Sequence, residues 1–342
     1  MTRWRHRMGE DKLVALLQES LNVAVRSGAA KPTEFANVLV DTTVQPKAVA
    51  FPTDAKLMHR ACMRLVRLAK KHGVRLRQTY VRVGKFALMK HQRYAHAKEF
   101  QRARRSLRQL RTYLGRIIRD VGRKISGDGT LETVFAMELM RARQVREQQP
   151  RQRGHKIYSL HAPEVECIAK GKAHRPYEFG VKVSVATPLK HSKGGQFVAH
   201  VKALPGNPYD GHTLETVIPE MELQIGVTLN RILADAGYRG HNAPPASRFK
   251  VYTAGQKRRM TEQIRRQLRR RSAVEPVIGH LKADHRMDCN YLAHRLGDAN
   301  NAVLAAAGYN FRRLQAWLRL LLRVVLYILA LSDQPACRPS PG

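Results

Sequence analysis

A chain of 342 residues with 62 Lys and Arg against 26 Asp and Glu carries a formal net charge of +36 and a pI near 10.9. Such an excess points to a polyanionic partner, nucleic acid first, because each neutralised phosphate releases a condensed counterion. The hydrophobic fraction of 43% excludes a disordered basic tail and fits one to three folded domains.

Four scattered cysteines (Cys62, Cys167, Cys289, Cys337) form no CxxC pair, so no zinc site or disulfide framework is expected and a reducing cytoplasm fits best. Met1–Lys12 is charged and leads into an amphipathic stretch, so no signal peptide is expected.

In chain order, Leu13, Leu16, Leu17, Leu21 and Val25 recur every three or four residues, which predicts a helix over residues 10–27 ending at Ser27-Gly28. Val38-Leu39-Val40-Asp41-Thr42-Thr43-Val44 is a β-branched apolar run holding one acid, the pattern of a strand buried on both faces. From Thr53-Asp54 to about Val145 the period turns helical, with Asp54 expected as N-cap. Leu57, Ala61, Leu65 and Leu68 form one stripe; Leu107, Leu110, Leu114, Ile117, Ile118 and Val121 form another.

The second of these helices carries Arg104, Arg105, Arg108 and Arg111 among nine basic residues between Gln101 and Lys124, against Asp120 alone. Solvated helices usually alternate signs, so phosphate contact is favoured over a merely solvated face. A polar linker, Arg146–His155, precedes a β-like region: Lys156–Leu160, Tyr177–Val185 and Phe197–Val201 read as strands. Thr213–Ile225 reads as a helix, Arg231–Ala234 as a buried strand ending on Asp235, and Phe249–Tyr252 as a short strand. Thr261–Arg313 is helical with a break near Asp288–Asn290. The uninterrupted apolar part of the last helix, Val324–Leu331, is about half the ~20 residues a membrane span needs, so a buried or partner-facing helix is expected, without a membrane partner. The simplest architecture is one α/β core interrupted by a helical insertion.

Asp41 and Asp235 both lie at or near strand ends, where ligand-binding residues gather in open α/β sheets. Glu275 lies on the long helix between Arg271 and Lys282, at spacings of four and seven that keep to one face. Such carboxylates suit Mg²⁺, and two such ions can stabilise both oxygens of a phosphodiester displacement. Taken singly, each acid is as well explained by a cap, a turn or a salt bridge.

Asp235-Ala236-Gly237-Tyr238-Arg239-Gly240 resembles the second-aspartate motif of DDE transposases. The run Arg271-Ser272-Ala273-Val274-Glu275 through Lys282 resembles their R-x3-E-x6-K signature. Val40–Val44 with Phe51-Pro52-Thr53-Asp54 resembles the first-aspartate segment. Asn207–Thr213 and Gly297–Asn301 also resemble segments of the bacterial "insertion sequence five" family.

The resemblance implies an RNase H-like core, a mixed sheet flanked by helices, with the basic helical block inserted after the first strand. It divides the chain into residues 1–34 as a remnant of an N-terminal helical region, 35–53 with 155–320 as the catalytic core, 54–154 as insertion and linker, and 321–342 as helix end and tail. Asp41, Asp235 and Glu275 would bind two Mg²⁺ (or Mn²⁺). Arg271, Lys282 and Arg239 would contact DNA together with the basic helix. The implied activity is hydrolysis at the ends of an insertion sequence and attack of the freed 3′-hydroxyl on target DNA. The implied partners are the terminal inverted repeats, the target duplex and a second copy of the chain, in the nucleoid-associated cytoplasm of a bacterium.

The family often has Lys where this chain has Ala236, and Tyr where it has Leu268. Met1–Arg5 resembles the middle of a longer family member, which implies a missing N-terminal region. Two other readings stay open: a truncated, catalytically inactive DNA-binding relic, and an RNA-binding structural protein. Asp210, in Pro208-Tyr209-Asp210-Gly211, is the main rival for the second metal ligand, with a turn role favoured. His280 is expected to pack or face solvent. Lys170, Lys172 and Lys182 are candidates to line a DNA groove, and Trp4 and Trp317 are expected as core or interface anchors.

Overall fold

In the computed structural model, which describes residues 9–150, 152, 154–172 and 175–332, the strand expected around Asp41 runs as β1, Asn37–Pro46. Trp4 and the side chains of Lys170 and Lys172 lie outside the described residues. Helix α1 (Glu10–Arg26) precedes β1. Four helices follow: α2 (Asp54–Lys71), α3 (Val81–His96), α4 (Phe100–Ile125) and α5 (Gly129–Glu147). The chain continues through β2 (Glu166–Lys172), β3 (Arg175–Pro188), β4 (His200–Leu204), α6 (Leu214–Ile225), β5 (Arg231–Ala234), β6 (Val251–Thr253), α7 (Glu262–Leu268), α8 (Val274–Ala283) and α9 (His294–Ser332). The chain divides into two compact units, one of Met1–Ala48 with Lys172–Gly342, the other of Val49–Gly171.

The first unit is built on a mixed sheet. β1 pairs antiparallel with β3, β3 antiparallel with β4, β1 parallel with β5, and β5 parallel with β6. The near-continuous apolar run of β1 follows from its burial on both faces. Side chains alternate along a strand. Leu39 packs with Leu233 and with Val274, Val277 and Leu281 of α8 and Ala302 and Ala306 of α9. Val38 and Val40 point the other way, into Leu214, Val217, Ile218 and Met221 of α6. Gly180 of β3 lies opposite Pro46, where a Cβ would collide with the Gln45 carbonyl.

Helix α1 belongs to this unit: Leu13 and Leu17 join the α9-side core. The Asn310 amide on α9 donates to Ser20 Oγ at 3.0 Å and accepts from the Val198 amide at 2.8 Å.

The end of β1 is fixed by a buried ion pair. Lys47 Nζ stands 2.8 Å from Asp298 Oδ1, with side chains 4% and 6% exposed, and Asn290 donates to the same oxygen at 2.7 Å. Gln45 donates to the Asp298 carbonyl at 3.0 Å. The Gly297–Asn301 segment thus anchors the strand that carries Asp41.

The second unit is a helical bundle. Leu57, Leu65, Leu110, Leu114, Phe135 and Leu139 share one core, while Arg104, Arg105 and Arg108 of α4 are exposed and Arg111 is half-buried. That is the expected division of α4 into a packing face and a guanidinium face.

Several expectations need correction. Thr53 rather than Asp54 caps α2, its hydroxyl accepting from the Lys56 amide at 3.3 Å. Residues 155–171, assigned to the core by the sequence reading, lie with the helical unit, and Lys156–Leu160 is not a strand. Its backbone is satisfied by side chains: the Gln148 amide bonds both the carbonyl and the N–H of Ile157 at 3.2 Å, and Arg64 donates to the Leu160 carbonyl at 2.7 Å. Ile157 and Leu160 then fill the bundle core. The Phe197–Val201 strand begins only at His200, and the short strand placed at Phe249 begins only at Val251. Beyond Trp317, whose indole donates to the Ser27 carbonyl at 3.0 Å, Leu318, Leu320–Leu322 and Val324–Leu329 are exposed rather than buried. Among the described residues no helix is long and apolar enough to cross a membrane.

Candidate active site

The parallel pairing of β1 with β5 sets the site. Its register runs Val38↔Ile232, Leu39↔Leu233, Val40↔Ala234, so Asp41 and Asp235 are the next residues on two adjacent strands. Neighbouring strands lie about 4.8 Å apart, and each Asp follows by two a leucine of the core beneath α8. Both aspartates therefore continue onto the α8 face, Asp235 just past the end of β5 and Asp41 midway along β1, where its pairing with β5 stops.

Each carboxylate is held from behind by backbone. Asp41 Oδ1 accepts from the Thr42 amide at 2.8 Å, and Asp235 Oδ1 accepts from the Ala236 amide at the start of a short 3₁₀ turn, Ala236–Tyr238. Arg271 Nη1 stands 3.8 Å from Asp235 Oδ2.

Burial pushes the Asp41 carboxyl up to about 6. The Thr42 amide bond and Arg271 oppose the rise, while Asp235 and Asp210 add to it. The like charges are thus close enough to act on one another.

Asp210, the rival to Asp235 in the sequence, has both a turn role and a place beside Asp41. It does open a short turn, Asp210–Thr213, as expected. Its carboxylate, however, joins the cluster: Oδ1 accepts from Thr42 Oγ1 at 3.0 Å and from Lys182 Nζ at 2.9 Å. Lys182 also donates to the Pro208 carbonyl at 2.7 Å, so it clasps this turn rather than standing out as an open groove lysine. Gly237 leaves room for the acid, because a Cβ there would lie 3.2 Å from Asp210 Oδ2. Tyr238 is buried under the three carboxylates; burial first, and then Asp41, Asp210 and Asp235, hold its hydroxyl well above the ordinary range. A turn signal masked Asp210, and no local pattern marks Tyr238 as a neighbour of Asp41.

Glu275 is placed differently. It sits in the first turn of α8, with Val274 and Val277 buried on either side of it in sequence, and its own side chain is exposed. Arg271 and Glu275 lie one turn apart; Lys282 is half-buried in the last turn of α8. His280 faces solvent and bonds Asp284 Oδ2 at 2.9 Å. Arg239 reaches the Ala254 carbonyl at 3.4 Å.

Among the described residues no three His, Cys, Asp or Glu side chains are disposed to hold one metal ion. Asp41 and Asp235 offer the hard oxygen donors that Mg²⁺ prefers, and a bound cation would offset the mutual repulsion that helps to raise Asp41. Glu275 does not join them in this arrangement.

No protein-family profile and no solved structure matches the chain. A protein of Rhizobium meliloti described as "Uncharacterized protein ORF8 in nfe locus" is 51% identical over 100 residues. The matched stretch is 29% of this chain and 48% of that protein, so the chain spans about half the length of this curated relative. Its description assigns no activity.

Proposed function

We propose that the chain is a DDE-type DNA transposase with an RNase H-like core, cutting phosphodiester bonds at the ends of an insertion sequence and transferring the 3′-hydroxyl to target DNA. The observation that carries this reading is the register of β1 and β5, which sets Asp41 beside Asp235, with Arg271 of the 3₁₀ turn Arg269–Ala273 against Asp235 and Glu275 in the first turn of α8. The mixed sheet, in which β1 pairs antiparallel with β3 on one side and parallel with β5 on the other, supports the core assignment. The net charge of +36 supports a nucleic-acid substrate.

In this reading Asp41 and Asp235 supply oxygen ligands, Thr42 and Ala236 orient them, and Arg271 and Lys282 hold the phosphates beside the cut. Divalent magnesium or manganese, bound as a pair, would stabilise charge on the attacking and leaving oxygens. The exposed arginines of α4 bind the duplex backbone, and a second copy pairs the two element ends. The exposure of Glu275 favours one second reading, a DNA-binding relative that has lost cutting.

Metal-dependent nicking of supercoiled plasmid separates the two. Wild type is expected to nick, and Asp41→Ala, Asp235→Ala and Glu275→Ala to lose nicking while retaining DNA binding. Tight binding without nicking by wild type would establish the inactive reading. Nicking that survives Asp235→Ala would mean the wrong carboxylates.

The α4 face makes its own prediction. Among the described residues, Arg104, Arg105, Arg108 and Arg111 form no ion pair with an acid. Replacing Arg104, Arg105 and Arg108 by Gln should flatten the log–log dependence of duplex affinity on salt by about 0.9 per lost phosphate contact, or about 2.7 in all. An unchanged slope would make the face merely solvated.

A further inference from the structure

Just past the carboxylate cluster, the chain builds a cavity of about 490 Å³ lined by Arg239, His241, Arg248, Phe249, Tyr252 and Arg259, with no acidic residue in its wall. It begins four residues after Asp235, directly beyond the 3₁₀ turn that closes on Tyr238. The guanidinium of Arg259 lies 4.3 Å from the centre of the Phe249 ring, and that ring is 63% exposed. Arg259 is held in the left-handed backbone region, at φ 60°, a conformation that is strained for a non-glycine residue. His241 Nδ1 is buried without a hydrogen-bond partner, and burial first, then Arg248, keeps that ring's pKa low. The recess thus combines three cations, an open aromatic face and an unsatisfied neutral imidazole.

These parts match one ligand chemistry. A duplex presents phosphates on a convex backbone but keeps its base faces stacked. An unpaired nucleotide offers a phosphate and a free π-face together, and proteins that bind single strands answer with basic side chains and aromatic platforms. We propose that this cavity binds an unpaired nucleotide of a DNA strand, its phosphate between Arg239 and Arg248 and its base on the Phe249–Arg259 pair. The inference rests on the reading of the chain as a DNA-processing enzyme. There, the recess would receive the strand leaving the carboxylates, with Arg239 linking the two sites.

The test is equilibrium binding of the full chain to a fluorescent oligothymidylate of about 10 nucleotides and to a duplex of the same length at fixed salt. Phe249→Ala is expected to weaken single-strand binding roughly tenfold and to leave duplex binding within about twofold. Because Phe249 is exposed, its loss leaves the core intact. A second variant, Arg248→Gln with Arg259→Gln, should weaken single-strand binding further. Equal losses on both DNAs, or no loss on the single strand, would overturn the proposal. Plasmid nicking by wild type, read in parallel, keeps the two claims apart. Single-strand selectivity that depends on Phe249 in a chain that never nicks would sink the reaction and leave the pocket. Nicking with unaltered single-strand binding by Phe249→Ala would sink the pocket alone.

Discussion

Replacing Asp41 by Asn should make the protein more stable at neutral pH and sharply reduce the metal-dependent nicking proposed for it. In the folded state burial lifts this carboxyl to about 6, helped by Asp235 and Asp210 against the Thr42 amide and Arg271; in the unfolded chain it sits near the ordinary 3.8. Between those two values the folded state holds a proton that the unfolded state has released. Unfolding free energy therefore falls as pH rises through that window and stays lowered above it. The cost above pH 6 is about 2 kcal/mol, allowing for partial exposure.

Asparagine keeps the shape and the acceptor for Thr42 but carries no charge, so it should recover that amount at pH 7.5 and gain nothing at about pH 4. Thermal unfolding at the two pH values reads the difference directly. In the proposed reaction the same change removes a ligand oxygen, and the expected loss of nicking is roughly 10²- to 10³-fold. An Asn variant that is less stable at neutral pH, or that nicks at the wild-type rate, would contradict this account of the site.

The second large effect concerns Asp298. Its carboxylate balances Lys47 at 2.8 Å in a place where both side chains are almost wholly buried. Asp298→Ala should cost about 3–5 kcal/mol, because it removes the charge that makes a buried ammonium tolerable. Denaturant unfolding of the single variant and of Lys47→Met with Asp298→Leu tests the cause. The double replacement should regain most of the loss, since a well-packed apolar pair needs no charge balance. Equal destabilisation in both would assign the effect to lost packing instead.

Much of this architecture was readable because burial on both faces erases alternation. Val38-Leu39-Val40 and Ile232-Leu233-Ala234 look alike for that reason, and an acid directly after each marks where their parallel pairing stops. The helical block was readable in the leucine spacing of α4. What escaped were features whose cause lies elsewhere in the chain. Lys156–Leu160 has the composition of a strand, but Gln148 and Arg64 take its hydrogen bonds. Asp210 has the surroundings of a turn residue and also fills that role; only Lys182 and Thr42, brought in by β3 and β1, place its carboxylate beside Asp41. The apolar run from Val324 onward has the texture of a core helix, yet it is exposed. The standing of Glu275 was equally closed to the sequence, because spacing on a helix says nothing about how that helix faces two strands.

The position of the helical unit in the chain also sets an order of events during synthesis. β1 is made early, but β3 and β5, which flank it in the sheet, follow only after residues 49–171. At about 5–20 residues per second, that interval lasts roughly 6–25 s. Helical segments fold from near neighbours in far less time, so for seconds the nascent chain carries a growing bundle and a strand that has neither of its partners. During that wait Val38–Val44 exposes two open edges and a row of apolar side chains, the features that draw strands from other chains. The vulnerable state of this protein is therefore the half-made one on the ribosome, and what shields residues 37–46 there governs how much folded product the cell recovers.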